Sequence, residues 1–218
     1  CSNGVIYSLN NKNDINDVTM VDNKGIGINI NGGSATINDV TITGNSAYGI
    51  YVNDTTATIN NANIINNKAE AIYANAATTI INDVTITNST LNAINITGGE
   101  TSINNANILS KAYGILLTGV NGANITNNNI ASKYSGVFVT GTSSNIKIDN
   151  NNISTTAGSN SDGIKINPYG NDVIHDIIIS NNNYDIKSYA NGIFIITYKS
   201  GNIYNVLIEN ETISNVLH

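Results

Sequence analysis

The chain has 218 residues, a formal net charge of −6 and a sequence pI near 4.6, with 40% hydrophobic and 11% charged residues. That much apolar side chain excludes disorder, which pairs low hydrophobicity with high charge. All nine basic residues are lysines in an acidic chain, so no cationic face for phosphate is expected and nucleic acid is excluded as a partner. No run of 18 or more apolar residues supplies a membrane span.

The chain opens on Cys1, its one cysteine, which has no partner for an internal disulfide. Cys1-Ser2-Asn3 resembles the lipidated start of a mature bacterial lipoprotein, though a residue at the edge of an excised segment is the plainer reading. From residue 17 onward a repeat takes over. Units 17–38, 39–60, 61–82, 83–104 and 105–126 each hold 22 residues, with no gap between them. A 23-residue unit, 127–149, follows, and then two longer units, 150–179 and 180–209.

Each unit carries three short segments of period-2 alternation separated by polar turns. In the second, Val40 and Ile42, then Ile50 and Val52, then Ala57 and Ile59 alternate with polar residues. Period 2 predicts strands. Strands this short form no stable sheet alone, so each must pair with its copies in the units above and below, about 4.8 Å away. About eight coils then make a rod of about 40 Å.

Three inward stacks are expected. One is Ile37, Ile59, Ile81, Ile103, Ile125 and Ile148. The second is Ile42, Ile64, Ile86, Ile108, Ile130 and Ile153. The third runs Ile28, Ile50, Ile72, Ile94, Ile115, Val137, Ile164 and Ile193. Asparagine fills 44 positions. Asn38-Asp39, Asn60-Asn61, Asn82-Asp83 and Asn104-Asn105 suit tight turns, because Asn and Asp tolerate the left-handed backbone region. Asn128, Asn151 and Asn182 fall where earlier units place Val or Ala, which predicts an internal amide ladder. Gly27, Gly49, Gly114, Gly136, Gly163 and Gly192 precede the third stack and read as backbone requirements.

A Gly-Ile strand, a polar turn and then Ile-x-x-Asn-x-Ile resembles the parallel β-helix repeat of the pectin-lyase-like superfamily, from Gly4-Val5 to Thr212-Ile213. The resemblance implies an all-β, single-stranded right-handed parallel β-helix. One β-helix domain over 1–218 is expected, with regular coils at 17–126 and irregular ones at 127–209. The Asn/Ile/Thr-rich, arginine-free runs are most similar to adhesin-like surface proteins of archaea and bacteria. Entry at Gly4-Val5 partway through a coil, and no capping helix after Ile213, predict a piece of a longer chain.

Enzymes of that superfamily act in the groove over the Gly-Ile strand. Its outward residues here are Asn29, Tyr51, Tyr73, Asn95, Leu116, Phe138, Lys165 and Phe194. Tyr51, Tyr73, Phe138, Lys165 and Phe194 are the candidate glycan-binding residues, since aromatic faces stack on sugar rings; ordinary cross-coil stacking is the competing reading. The long coil 150–179 carries Asp162, Lys165, Tyr169, Asp172, His175 and Asp176.

Ser161-Asp162-Gly163-Ile164 resembles the Asn-Thr-Asp-Gly motif of polygalacturonases, whose other three motifs are missing. Hydrolysis needs a second carboxyl, and no partner for Asp162 can be placed. With no arginine in the chain, the pectate-lyase mechanism is excluded within these residues. Tyr169-Gly170-Asn171-Asp172-Val173-Ile174-His175 resembles the Tyr-Gly-x-Asp-x-His signature of alginate C5-epimerases with one residue inserted. Tyr169 and His175 would then act as an acid–base pair.

No cofactor is called for; Asp17 and Asp39, stacked in neighbouring turns, are the one pair placed to share calcium. Six Asn-x-Ser/Thr sequons begin at Asn53, Asn88, Asn95, Asn124, Asn152 and Asn210 and carry no weight at this composition. A threonine row for ice fails, because Thr36 and Thr58 are followed by Ile80, Ser102, Asn124 and Lys147. The reading is a structural or adhesive module of a large extracellular or cell-surface protein. It would meet a surface glycan or protein ligand, beside neighbouring domains of its parent chain. The alternative is a carbohydrate-active enzyme, an epimerase, lyase or hydrolase, acting on an acidic polysaccharide.

Overall fold

In a computed structural model, residues 4–156, 161–187 and 189–216 are described; Cys1 and residues 157–160 of the long coil lie outside them. The described residues form strands and turns only, and every strand pair is parallel. The chain winds as a solenoid with three faces, each holding nine strand levels among the described residues. The Gly-Ile face includes Ile50–Asn53, Ile72–Asn75, Val137–Thr140, Ile164–Ile166 and Ile193–Ile195. The second face follows it in each coil, as in Thr56–Asn60 and Val173–Ser180. The third closes the coil, as in Thr41–Thr43 and Asn183–Ile186. The first two coils depart from the expected pattern of three separate segments. Ile6–Asn16 and Ile28–Asn38 run through the corner between two faces unbroken, joining both faces into one sheet of 16 strands.

The register is the one the period predicts. Ile37 pairs with Ile59 and Ile59 with Ile81; Ile42 pairs with Ile64; Ile28 pairs with Ile50. The three stacks line a single interior, and most members are wholly buried. Each buried isoleucine contributes about 1.5–3 kcal/mol. Tyr184 takes the second-stack position after Ile153 and is also wholly buried.

The turn after the first stack is left-handed in every coil. Asp17, Asp39, Asn61, Asp83, Asn105, Asn127, Asn150, Asn181 and Asn210 have φ between 51° and 59°. Asn and Asp reach this region at the lowest cost of any residue with a side chain. Just before it, Asn16, Asn38, Asn60 and Asn82 form an outer amide ladder with N–H···O distances of 2.7–3.0 Å. The next carboxylates are tied into the same stacking. Asp149 accepts from Ser180 and Asn181 and meets Lys147, and these donors hold its carboxyl below the usual carboxylate range, the Asn181 amide most of all.

The internal ladder is present. Asn128 Nδ2 donates to Asn151 Oδ1 and Asn151 Nδ2 to Asn182 Oδ1, each at 2.9 Å; Asn182 ends on the Glu211 carboxylate at 3.2 Å. All three asparagines are buried. A second internal row, unforeseen in the sequence, runs Asn23, Asn45, Asn67 and Ser89. Asn45 Oδ1 accepts from the backbone and side-chain nitrogens of Asn23, and Asn67 Oδ1 from the backbone of Asn45.

The glycines ahead of the third stack serve close approach; none of the six has a positive φ. A Cβ on Gly49 would stand 2.7 Å from Ile64 Cγ2 and 3.2 Å from Asn67 Nδ2; one on Gly27 would stand 2.8 Å from Asn45 Nδ2. One coil further, the glycine becomes Ala71 and the asparagine becomes Ser89. The pairs trade volume, glycine with asparagine and alanine with serine. Ser89→Asn alone should therefore overpack and cost about 2 kcal/mol. Adding Ala71→Gly should recover most of that by extending the ladder. A double-mutant cycle in urea checks this; additive single effects would refute the coupling.

Candidate functional site

The outward row on the Gly-Ile face is continuous in register. Tyr7, Asn29, Tyr51, Tyr73, Asn95, Leu116, Phe138, Lys165 and Phe194 follow one another, one per coil. Alternation fixes their direction, because their neighbours Ile50, Ile72, Val137 and Ile164 point into the core and are buried. The rings of Tyr51 and Tyr73 stack at 5.5 Å with 6° between their planes. Tyr48, from the corner before the strand, closes a triad at 5.5 and 5.4 Å. Partial burial raises the Tyr48 and Tyr51 phenols, and Glu70 adds to the effect at Tyr48, so both hydroxyls remain protonated donors.

A second aromatic group lies further along. Tyr113 sits 5.2 Å from Phe138 and 5.7 Å from Tyr134. Lys165 Nζ is 5.6 Å from the ring centres of both Phe138 and Phe194, so the lysine lies between two phenylalanines. Tyr48, Tyr113 and Tyr134 escaped the sequence reading. They stand three or four residues before the outward row, in turns whose path the period does not define.

The structure separates the chemical candidates of the long coil. Asp162 is 2% exposed, and its Oδ1 accepts from the backbone and side-chain nitrogens of Asn191 at 2.9 and 2.8 Å. That carboxylate ties one corner to the next. Lys165 lies on the Gly-Ile face. Tyr169 and Asp172 meet in the following turn, where the Tyr169 N–H donates to Asp172 Oδ2 at 3.3 Å and the Asp172 N–H to Tyr169 O at 3.3 Å. His175 lies beyond that corner, on the second face. It stacks on Tyr204 at 4.9 Å with 1° between planes, and its Nδ1 is 2.7 Å from Asp176 Oδ2. The Asp176 carboxyl is held below the usual range by the Asn205 amide first and by His175 second. No hydrogen bond or ring contact joins His175 to Tyr169, Asp172 or Lys165.

The acidic turns hold no wider cluster. Asp39 accepts the Asn61 amide, and among the described residues no three His, Cys, Asp or Glu side chains gather. The pairing register also bears out the mixed character of the Thr36 row, with Thr58, Ile80, Ser102, Asn124 and Lys147 in line.

The family described as a right-handed β-helix region matches residues 26–99 and 92–217. The chain belongs to the right-handed β-helix family. This β-helix shares its fold with the A-module of mannuronan C-5 epimerase AlgE6 from Azotobacter vinelandii, with a TM-score of 0.58 and 13% identity over 92% of this chain. The chain spans 64% of that module's length. A mutant of the periplasmic alginate epimerase AlgG is similar with a TM-score of 0.52 and 11% identity, covering 97% of this β-helix and 77% of that chain. At such identities the likeness is one of fold. No curated protein matches the sequence.

Proposed function

We propose that this β-helix is a glycan-binding module of a cell-surface or secreted protein, one that holds a polysaccharide along its Gly-Ile face. The observation that supports it is the outward row, where the half-buried Tyr48, Tyr51 and Tyr73 form one aromatic platform, and Tyr113 meets Phe138 in a second that Lys165 links to Phe194. The rigid coil stack spaces these rings about 4.8 Å apart per level. The edges and partly covered faces of these stacked and tilted rings suit the apolar C–H groups of sugars, and the protonated phenols and neighbouring amides supply donors. Adhesion follows in this reading from many weak contacts along one chain. The Tyr51→Ala, Tyr73→Ala double variant should bind its glycan about tenfold or more weakly, with unchanged circular dichroism. Glycan arrays followed by titration calorimetry measure this; full retention of affinity would refute the assignment of this face.

The second reading is an enzyme that modifies a polysaccharide. It draws on the fold shared with the two epimerases and on the turn that joins Tyr169 to Asp172. Incubation with uronate polysaccharides, read as the C5 epimer ratio and as unsaturated ends, tests it. Turnover abolished by His175→Ala would establish the enzyme and displace the binding module.

A further inference from the structure

The chain carries a net charge of −6, yet its C-terminal half holds six of the nine lysines: Lys111, Lys133, Lys147, Lys165, Lys187 and Lys199. Lys147 and Lys187 are neutralised by Asp149 and Asp185 at 3.0 Å. Three others lie over aromatic rings instead. Lys133 Nζ is 5.3 Å from the centre of Tyr134, Lys165 is 5.6 Å from Phe138 and Phe194, and Lys199 is 4.7 Å from Tyr169. Among the described residues, none of these three forms an ion pair.

Their placement follows a line. Lys133 precedes the strand Val137–Thr140, Lys165 is at the middle of Ile164–Ile166, and Lys199 follows Ile193–Ile195. On three successive coils they cross the Gly-Ile face from its entry edge, over its floor, to its exit corner. The carboxylates nearest Lys165 in sequence are already engaged. Asp162 is buried against Asn191, and Asp172 takes the Tyr169 N–H and, at 3.4 Å, the Thr142 hydroxyl. The rings hold the ammonium groups in place without neutralising them, and each keeps N–H donors for a ligand.

We infer that this half of the face binds an anionic glycan, with its carboxylate or sulfate groups on Lys133, Lys165 and Lys199 and its sugar rings against Phe138, Phe194 and Tyr134. The Tyr48–Tyr51–Tyr73 platform has Glu70 beside it and no lysine in contact, so it takes the neutral part of the chain. The inference rests on the glycan-binding reading and adds the sign of the ligand's charge.

The test is affinity electrophoresis of the whole chain in gels containing a polyuronate, a sulfated galactan, a neutral glucan or duplex DNA. Retardation by the polyuronate or the sulfated galactan is expected, and which of the two it is tells carboxylate from sulfate. Lys165→Met keeps the stem between the two rings and should weaken retention about tenfold. Lys199→Met, at an exposed turn, should weaken it too, and raising salt from about 0.05 to 0.5 M should weaken it steeply. Retention by neutral glucan alone, indifferent to Lys165→Met, overturns the anionic inference and leaves glycan binding standing. Equal retention by DNA overturns it as well, since bare charge would then suffice. No retention by any glycan overturns both.

Discussion

An Asn151→Ala variant is expected to lose about 4 kcal/mol of stability, measured as a shift in the urea midpoint. Asn151 is 1% exposed and sits mid-ladder. Its Oδ1 accepts the backbone and side-chain nitrogens of Asn128, each at 2.9 Å. Its Nδ2 donates to Ile125 O at 2.9 Å, Asp149 O at 3.1 Å and Asn182 Oδ1 at 2.9 Å. Alanine removes all five bonds; Asp149 O keeps the Asn127 N–H and Asn182 Oδ1 keeps the backbone N–H of residue 151, but the buried backbone N–H of Asn128 loses its acceptor, and each orphaned buried group costs about 1–3 kcal/mol. The outer ladder supplies the control. Asn60 bonds to Asn38 and Asn82 in the same head-to-tail manner, at 2.8 and 3.0 Å, but at the surface. Water replaces those bonds, so Asn60→Ala should cost less than about 1 kcal/mol. Equal losses in the two variants would mean that burial is not what gives the inner ladder its weight.

Gly163→Ala is expected to cost about 3 kcal/mol through overpacking. A Cβ there would stand 2.4 Å from Tyr184 Cδ1 and 2.5 Å from Gly192 O. Two other coils do carry a methyl at this position. Ala71 and Ala93 occupy the same position in coils whose second-stack residues are Ile86 and Ile108, and all four are buried without difficulty. Glycine is also crowded ahead of isoleucine, for a Cβ on Gly136 would stand 2.3 Å from Ile153 Cγ2 and one on Gly114 2.4 Å from Ile130 Cγ2. In a Tyr184→Ile background the same substitution should therefore still cost about 2 kcal/mol. A cost that does not change with residue 184 would place the constraint in the backbone carbonyl of Gly192.

Much of the fold was readable because one period governs it. The 22-residue spacing of Ile37, Ile59 and Ile81 set the register, and Asn128 was recognisable because it replaced Val or Ala on an inward position. Asn45 and Asn67 are as deeply buried as Asn128, yet they went unseen. They stand in polar turns of a chain with 44 asparagines, where an inward amide and an outward one look alike. Their trace was the glycine one coil earlier, Gly27 against Asn45 and Gly49 against Asn67. The candidate site divided in the same way. Tyr51, Tyr73, Phe138, Lys165 and Phe194 lie on strands, where alternation assigns a direction. Asp162, Tyr169 and His175 are separated by corners, and spacing along the chain does not say which face a residue reaches after a turn. Hence the buried bonds of Asp162 to Asn191 were not visible from its spacing.

The all-parallel pairing also gives the rod a mechanical grain. Its ladder hydrogen bonds, and the Asn38–Asn60–Asn82 and Asn128–Asn151–Asn182 chains beside them, point along the long axis, each joining a coil to the next. Tension along that axis bears on one coil boundary at a time and unwinds the outermost turn first. Each 22-residue coil occupies about 4.8 Å of rod but holds about 70 Å of chain. A tether built this way yields length in coil-sized steps and dissipates work at every step, whereas load across the strands meets the whole stack at once.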